Sequence, residues 1–540
     1  MLKKLLSASA ALIACAAAYA FIDPRFTPVN LVEQSDSVWQ VRLDKEVKNG
    51  KATGTVVRAL KGAKPEGAVT FDLGAAIQKE AKMIEEVIAS GATDALFFVG
   101  QFENGAGGPP GAQGAKGLLN LNGKWIVFFE GAAGAWDMEK IDSRVQGTWA
   151  GGTDMLLRAV EYIQSDPDAD VPVSANVEWD TPVMFASVPG KVRSAGAVLM
   201  DDSGTISLLV TREGDFKLFA WKDGKMCDVT GDGQTVIVWG LRHARRFQQP
   251  PEELRAGLGA SGRMFEADFD GDGLPDLLWL YEKGALFCKG TEAGTGSMPG
   301  KFADPVRTQL ALGKGRSTAQ LGDYDADGLL DVFCSAEDGN RLWHNLGKGQ
   351  FVQTLALSGE IAYSSRAGGV DGMTGDVNND GRQDILIAYA ELTPQVFFNR
   401  GFRSFGHARE IDLGEQKLVP ESAKGQQACA LADFTGDGAQ DMVIVLNNGD
   451  AWLFPRKVGG GKALNVSVSL GKDAPSPLVV VGYAGKRCLG AWNVERGGNP
   501  AFFGLLDAGT IALKWRLPTG EEKSAKVDVI DRPVRYVVGQ

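Results

Sequence analysis

Short apolar runs alternate with acidic, glycine-containing stretches throughout the second half of the chain. Four apolar runs begin directly after such a stretch, and an aromatic run follows each of them. Short runs rich in β-branched and aromatic residues that start after turn residues are typical of β-strands. The first runs are 277–280, 332–333, 385–387 and 442–445, and the aromatic runs are 285–288, 341–344, 395–398 and 451–454. The pattern therefore predicts a repeated unit of several strands.

The first third of the chain has a different hydrophobic pattern. Apolar and polar residues alternate in three segments, which predicts antiparallel strands that resemble the small OB-like barrels of secreted bacterial proteins. Residues 77–90 have helical spacing, and Thr153 is placed to cap a second helix that runs through Tyr162. The alternating segments are 38–43, 54–62 and 69–73, and further apolar runs are 95–99, 117–121 and 125–129. We expect a β-rich domain, an OB-like barrel plus an α+β part.

These patterns divide the chain into four parts, and 540 residues are too many for one ordinary domain. The predicted parts are a signal peptide (1–20), the N-terminal domain (21–165), a repeat domain (175–460) and a C-terminal β module (461–540). The predicted fold class is therefore mainly β, with a small N-terminal α+β domain.

The N-terminus has the pattern of a secretory signal peptide. Lys3 and Lys4 precede an apolar core, and small residues around Tyr19 allow cleavage after Ala20. The stretch that ends at Cys15 also resembles a lipobox, which would make Cys15 a lipid anchor. No other apolar run is long enough to span a membrane. We therefore expect a secreted, periplasmic or cell-surface protein without a transmembrane segment.

The acidic stretches repeat one arrangement of oxygen-bearing side chains. Loop 1 (268–276), loop 2 (323–331), loop 3 (376–384) and loop 4 (433–441) have these residues at positions 1, 3, 5 and 9, with Gly at position 6. Position 7 varies and would contribute its backbone carbonyl. The predicted metal ligands are Asp268, Asp270, Asp272, Leu274, Asp276, Asp323, Asp325, Asp327, Leu329, Asp331, Asp376, Asn378, Asp380, Arg382, Asp384, Asp433, Thr435, Asp437, Ala439 and Asp441.

Calcium is the ion that this arrangement favours. Calcium binds six to eight oxygens in irregular geometry, whereas magnesium requires a stricter octahedron and retains its waters. The loops begin like an EF-hand loop, but they end in an Asp before a strand instead of a Glu in a helix. An Asp- and Gly-rich turn that binds nothing is the plain alternative, because both residues favour turns. Four copies in register favour about four structural Ca²⁺ sites.

The spacing of the loops predicts the architecture. Their first residues, 268, 323, 376 and 433, are 55, 53 and 57 residues apart, and repeats of this length with several short strands indicate a β-propeller. A fifth unit starts at Asp201 without a full set of ligands. A sixth loop at 228–236 has Val236 in place of the closing Asp, so we expect it to bind metal poorly or to be part of the first blade. Five units are clear, and six or seven blades remain open.

The loop and the strand after it resemble the FG-GAP/VCBS repeat of integrin α-chains and secreted bacterial proteins. The resemblance implies a propeller with structural calcium. The segments 463–470, 503–506 and 511–520 resemble the ASPIC/UnbV module that follows such propellers, although Arg516-Leu-Pro replaces the usual Trp-Pro pattern.

Charge and residue usage limit the function classes. The net charge of −11 without a basic patch argues against nucleic-acid binding. His243, His344 and His407 lie in separate units without a nucleophile motif beside them. The sequence therefore favours a non-catalytic scaffold that binds an extracellular carbohydrate or protein. The alternative is a lyase-like enzyme acting on polysaccharide, for which Arg242, Arg245, Arg246 and His344 are candidates.

Overall fold

The computed structural model describes a mainly β protein with two compact units, Met1–Ser174 and Ala175–Gln540. The described residues are 27–74, 76–102, 115–142, 145, 149, 151–166, 169, 171, 177–200, 204–231, 250–294, 300–411, 425–458 and 463–539. The predicted signal peptide, Cys15, Asp201, residues 232–236, His243 and the three arginines at 242–246 lie outside them.

The first unit is a closed seven-stranded barrel with the strand order β1-β2-β3-β7-β6-β5-β4. Its strands are β1 (Ser35–Leu43), β2 (Lys51–Lys61), β3 (Ala68–Asp72), β4 (Asp94–Gly100), β5 (Gly117–Leu121), β6 (Lys124–Glu130) and β7 (Trp136–Ile141). Phe71, Phe97 and Phe128 pack against one another in the core, with ring centroids 5.0 to 6.0 Å apart. The predicted OB-like strands and the later strands thus form one barrel, because β1 pairs with β4 and β3 pairs with β7.

Three helices accompany the barrel: α1 (Pro28–Gln34), α2 (Gln78–Ala89) and α3 (Thr153–Ser165), with a 3-10 turn at Ala132–Gly134. The helix predicted over 77–90 is confirmed, and it buries Ile84 and Ile88 in the barrel core. The capping role predicted for Thr153 is wrong. Gly152 is the N-cap of α3, and Thr153 Oγ1 donates a 2.6 Å hydrogen bond to Asn120 Oδ1 instead.

The second unit contains five four-stranded antiparallel sheets, which are the blades of the propeller. Blade A has β9 (Val192–Leu199), β10 (Ile206–Arg212), β11 (Phe216–Lys222) and β12 (Lys225–Asp228); blade B has β13 (Ser261–Ala267), β14 (Asp276–Tyr281), β15 (Gly284–Cys288) and β18 (Val306–Thr308); blade C has β19 (Ser317–Gly322), β20 (Asp331–Ala336), β21 (Gly339–Asn345) and β22 (Phe351–Gln353); blade D has β23 (Gly369–Gly375), β24 (Asp384–Tyr389), β25 (Gln395–Asn399) and β26 (Phe405–Glu410); blade E has β27 (Gln426–Ala432), β28 (Asp441–Leu446), β29 (Asp450–Phe454) and β8 (Val183–Ser187). Asp228, the start of the incomplete sixth loop, therefore ends the last strand of blade A.

The blades are joined along their first strands and by one exchanged strand. β8 comes first in this unit, yet it pairs with β29 and completes the last blade. The first strands of neighbouring blades contact one another, in the order β9, β27, β23, β19 and β13. They therefore form the inner edge of the propeller. Smaller elements of this unit are β16 (Gly290–Glu292), β17 (Lys301–Phe302), α4 (Glu252–Arg255), α5 (Ile361–Ser364) and a 3-10 turn at Leu355–Leu357.

The C-terminal residues form two sheets around one core. One sheet has the order β33-β30-β36 and the other β32-β31-β34-β35. Their strands are β30 (Leu464–Leu470), β31 (Leu478–Ala484), β32 (Arg487–Val494), β33 (Ala501–Leu505), β34 (Gly509–Arg516), β35 (Glu522–Val529) and β36 (Val534–Val538). Val468 and Phe503 from the first sheet pack in the same buried cluster as Val480 and Leu513 from the second. We call this pair of sheets the C-terminal sandwich.

Candidate metal centres in the acidic loops

Each acidic loop joins the first and second strands of one blade. Loop 1 connects β13 to β14, and loops 2, 3 and 4 make the same connection in blades C, D and E. The closing Asp of every loop is the first residue of the second strand: Asp276, Asp331, Asp384 and Asp441. The aromatic runs predicted after them are the third strands, β15, β21, β25 and β29. The sequence register therefore places the acidic side chains at equivalent points of four blades.

The position-1 carboxylate organises the turn. Asp268 accepts hydrogen bonds from the backbone N–H groups of Gly271 and Gly273, both at 2.7 Å. The bond to the position-6 glycine recurs at 2.8 to 2.9 Å in the other loops, between Asp323 and Gly328, Asp376 and Gly381, and Asp433 and Gly438. These glycines have φ from +82° to +93°, a left-handed backbone that glycine adopts without a steric penalty. Position 6 therefore requires Gly for a backbone reason.

The position-5 carboxylate tightens the end of each turn. Its Oδ1 accepts a hydrogen bond of 2.8 to 2.9 Å from the backbone N–H of position 7. The pairs are Asp272 with Leu274, Asp327 with Leu329, Asp380 with Arg382, and Asp437 with Ala439. Because position 7 takes part through its backbone here, its side chain is free to vary.

The position-9 carboxylate accepts hydrogen bonds from the backbone of two separate segments. Asp276 Oδ2 accepts from Phe269 N at 3.0 Å, and its Oδ1 accepts from Gly290 N, beyond the third strand, at 2.7 Å. Asp384 makes the equivalent bonds to Val377 N and Asn399 N, both at 2.9 Å. All four position-9 side chains are fully buried. The closing Asp is a predicted ligand, and it also joins the loop to the backbone after the third strand.

Burial of these carboxylates disfavours their charged form. It raises the pKa of Asp276 and the pKa of Asp441 to about 7 from 3.8, even though backbone N–H donors lower both. Burial also raises the pKa of Asp433 to about 6 and, with the charge of Asp325, the pKa of Asp323. Burial therefore opposes the ionisation of carboxylates in loops 1, 2 and 4.

In loop 1 a lysine supplies part of the missing positive charge. Asp268, Asp270 and Asp276 each place one oxygen within 4.8 Å of the others. Lys289, which follows β15, forms ion pairs with Asp270 and, at 2.8 Å, with Asp272. Burial lowers the pKa of Lys289, but hydrogen bonds to the two carboxylates outweigh it and raise the pKa overall. Sequence reasoning missed this lysine, because it comes from the far side of a hairpin.

In loop 2 a histidine occupies the place that Lys289 has in loop 1. Asp325, Asp327 and His344 form a second group with ligand atoms within 4.8 Å. His344 Nδ1 lies 3.1 Å from Asp331 Oδ1 and 3.3 Å from Asp325 Oδ2. Arg403, which is 1% exposed, lies 3.7 Å from Asp325. His344 is therefore part of the loop-2 site, whereas the sequence indicates it only as a candidate for the lyase-like alternative.

Loops 3 and 4 have neutral side chains at position 3 and arginines nearby. Asn378 Nδ2 donates to Asp380 Oδ2 at 2.9 Å, and Arg382 pairs with the same oxygen at 3.2 Å. Arg456 donates to Asn378 O at 2.9 Å. Burial lowers the pKa of Arg456, against the charges of Asp376 and other loop carboxylates. Among the described residues, no group of three His, Cys, Asp or Glu side chains gathers as closely in these two loops.

Several oxygens in the loops fit a cation, because they are buried and make no hydrogen bond. They are Asp270 Oδ1 in loop 1, Asp331 Oδ2 in loop 2 and the hydroxyl of Thr435 in loop 4. Two of the three are at position 3 and one is at position 9, and the sequence predicts a ligand at both positions. An orphaned buried oxygen costs free energy unless an ion, a water or a donor satisfies it. The donor set is all oxygen except in loop 2, where His344 adds a nitrogen.

Amide side chains link neighbouring loops. Gln440, at position 8 of loop 4, accepts a hydrogen bond from the backbone N–H of Asp376 at 2.7 Å. Asn345 Nδ2 donates to Phe269 O, and Asn399 Nδ2 donates to Tyr324 O, each reaching the preceding blade. Sequence reasoning missed these residues. One signal was Gln at position 8 in loops 3 and 4, against Pro and Leu in loops 1 and 2.

All four loops lie against the C-terminal sandwich. Asp323 Oδ2 accepts from Ala491 N, and Asp376 Oδ2 accepts from Gly504 N, both at 2.9 Å. Loop 4 contacts Ala463 and Asn465 through its backbone carbonyls, and a Cβ on Gly273 of loop 1 would lie 2.5 Å from Leu517 O. The acidic loops therefore form an internal interface.

The inner edge of the propeller holds a cavity of about 230 Å³, lined by first strands and by residues of the C-terminal sandwich. It contains Arg263, which pairs with the buried Asp371 at 3.0 Å, and Glu495, whose pKa burial raises. No His or Tyr lines it among the described residues. His344 lies at loop 2, and His407 lies in β26. Among the described residues, Arg263 is therefore the lining residue of the type named for a lyase-like enzyme.

The family described as FG-GAP-like repeat matches residues 268–334, 323–387 and 376–444. These three overlapping segments, which contain the acidic loops, are FG-GAP-like repeats. Each matched segment starts at position 1 of loop 1, 2 or 3 and extends through the following loop. The resemblance stated for the loops is thus confirmed, while none of these matches covers the C-terminal sandwich.

The chain is also similar to proteins with established names. Cartilage acidic protein 1 of Mus musculus is 28% identical over 142 residues, which are 26% of this chain and 20% of that protein. The chain therefore matches about a fifth of that relative's length. An Agrocybe aegerita lectin that recognises non-reducing terminal N-acetylglucosamine has 13% identity and a TM-score of 0.27 over 78% of this chain and 89% of its own. Saccharomyces cerevisiae Sqt1 has 10% identity and a TM-score of 0.26, over 62% and 83%. Both TM-scores are below 0.5.

Within the described residues, the helices are too short or too polar to cross a bilayer.

Proposed function

We propose that this protein is an extracellular, calcium-loaded scaffold that binds a carbohydrate or a protein without transforming it. The observation that carries the proposal is the set of buried, orphaned oxygens in the acidic loops, on Asp270, Asp331 and Thr435. Oxygen donors on a flexible loop suit calcium, which is abundant outside cells and tolerates irregular coordination. Loops 1 and 4 are the best supported calcium sites, since His344 adds a nitrogen to loop 2 and Asn378 of loop 3 already bonds to Asp380.

Calcium in this proposal acts on the fold and not on the ligand. The loops contact the C-terminal sandwich, so a bound ion would stabilise the joint between the sandwich and the propeller. We identify the sandwich with the ASPIC/UnbV-like module on the strength of the sequence resemblance. Secretion rests on residues 1–20, and N-terminal analysis of the exported protein would distinguish cleavage after Ala20 from lipidation at Cys15.

Calcium removal tests the metal assignment. Binding to the folded state alone adds RT ln(1 + [L]/Kd) per site to the free energy of unfolding. We expect chelation to lower the melting temperature by about 5 °C or more, and calcium but not magnesium to restore it. Asp270→Ala should remove part of this difference, while Asp304→Ala, at an exposed position, should not. Identical melting with and without calcium would rule out the assignment.

A glycan array and a panel of extracellular proteins, probed with the calcium-loaded chain, test the binding role. Arg263 and Glu495 on the inner edge of the propeller are the one observation that favours a polysaccharide-acting enzyme. An activity screen on acidic polysaccharides therefore belongs beside the array. If the wild type turns over a polysaccharide and Arg263→Ala does not, the scaffold proposal is wrong and the protein is an enzyme.

A further inference from the structure

We infer that loop 2 is a site for a first-row transition dication such as Zn²⁺, bound by the carboxylates of Asp325, Asp327 and Asp331 together with the imidazole of His344. The inference rests on the proposed function, since it assumes that the acidic loops bind metal ions. It assigns loop 2 a different ion from the calcium of the other loops.

The first argument is the position of the imidazole. His344 Nδ1 lies within 3.3 Å of carboxylate oxygens from both Asp325 and Asp331. One Nδ1–H can donate a strong hydrogen bond to only one of them. Two ligands on a tetrahedral zinc, each about 2.1 Å from the ion, are about 3.4 Å apart. The observed separations of 3.1 and 3.3 Å therefore match those of donors that share one ion, as well as those of hydrogen bonds.

The second argument is an oxygen without a hydrogen-bond partner. Asp331 is fully buried, and its Oδ2 makes no hydrogen bond, while its Oδ1 faces His344 and accepts from Asn345 N at 2.8 Å. A metal ion bound by this carboxylate through both oxygens would satisfy Oδ2.

The third argument is charge. Loop 2 contains four carboxylates, on Asp323, Asp325, Asp327 and Asp331. The buried Arg403 lies 3.7 Å from Asp325. A dication bound among the four carboxylates would reduce their mutual repulsion in a site of low dielectric constant.

The fourth argument is ligand preference. Imidazole nitrogen suits Zn²⁺ and other transition ions, whereas calcium prefers an all-oxygen shell. Loop 1 provides the internal comparison, because Lys289 follows Asp276 at the same spacing as His344 follows Asp331. In loop 1 that place holds a fixed positive charge, and in loop 2 it holds a metal-binding nitrogen. The two loops therefore differ in ion preference through one residue.

A reciprocal exchange tests the inference on the full chain, with Zn²⁺ as the probe in a calcium-saturated buffer. Titration calorimetry and metal analysis after gel filtration should find one zinc per wild-type chain. His344→Lys, which introduces the residue type that Lys289 provides in loop 1, should no longer bind this zinc. Lys289→His should gain a second zinc in loop 1, and this variant serves even if His344→Lys fails to fold.

The outcomes separate the two proposals. Zinc that binds equally to the wild type and His344→Lys is an adventitious ion only, and it overturns the inference. Complete displacement of zinc by calcium overturns it as well. If calcium still raises the melting temperature in either case, the calcium scaffold stands. If neither ion affects the wild type, both proposals fail.

Discussion

Gln383 Oε1 accepts a hydrogen bond of 2.7 Å from the backbone N–H of Asp323. Its Nε2 donates to Ala491 O at 2.8 Å. One side chain in loop 3 therefore joins loop 2 to the C-terminal sandwich. Leu330 has the equivalent position in loop 2 and cannot make such a link to loop 1.

Replacing Gln383 with Leu, the residue of loop 2, should destabilise the protein. The change leaves the N–H of Asp323 and the carbonyl of Ala491 buried without their partner, which costs about 1–3 kcal/mol per group. Chemical denaturation of the calcium-loaded protein measures the loss. Gln353→Leu makes the same chemical change at an exposed strand position and should have little effect. Equal losses for both variants would show that the link carries no stability.

A substitution at Asn379 tests docking of the C-terminal sandwich independently of metal binding. Asn379 is at position 4 of loop 3, which is not a predicted ligand, and its Nδ2 donates to Leu464 O and Leu505 O at 2.9 and 2.8 Å. Asn379→Gly keeps the left-handed backbone, φ 62°, and removes both bonds. Hydrogen–deuterium exchange should become faster in β30 and β33, with unchanged calcium stoichiometry.

Ala326→Gly is the matched control for that experiment, since Ala326 has position 4 of loop 2 with φ 56° and no side-chain amide. It should leave exchange in the sandwich unchanged. If Asn379→Gly also leaves exchange unchanged, the amide does not hold the sandwich.

The stability of the calcium-free protein should decrease as pH rises. Burial raises the pKa of Asp276 and of Asp441 from 3.8 to about 7, so between about pH 4 and 7 the folded state binds more protons than the unfolded state. The free energy of unfolding then falls with increasing pH. In chelator, we expect a higher melting temperature at about pH 5 than at about pH 7.5. Calcium should reduce or reverse the difference, and a higher melting temperature at about pH 7.5 in chelator would contradict the prediction.

Lys289 should compete with an ion in loop 1. Its ion pairs with Asp270 and Asp272 supply positive charge when calcium is absent. Lys289→Met should therefore lower the stability of the calcium-free protein by about 1 kcal/mol and increase the stabilisation that calcium provides. Thermal melts with and without calcium measure both effects. Lys283→Met, in an exposed turn, is the control, and a smaller calcium effect in Lys289→Met would show that the lysine assists the ion.

Local patterns in the sequence were sufficient to predict the strands that follow the acidic loops in the blades. The strand after each loop and the aromatic third strand lie where the sequence predicted, because alternation of turn residues and apolar runs is set by short-range geometry. The cap predicted at Thr153 failed because a tertiary partner, Asn120, takes its hydroxyl. The single barrel was not predictable either, since β1 and β4 are distant along the chain.

The sequence by itself determined the mainly β fold, the register of the four acidic loops and the oxygen side chains within them. These depend on spacing and on backbone requirements such as the left-handed glycine at position 6. Only the tertiary structure decided what faces those oxygens. His344 in the third strand of its blade, and Lys289 and Arg456 just after theirs, reach the loops, and Ala491 and Gly504 reach them from the C-terminal sandwich. Charge compensation in the loops and docking of the C-terminal sandwich depend on contacts between residues that are distant along the chain. A local motif therefore cannot predict them.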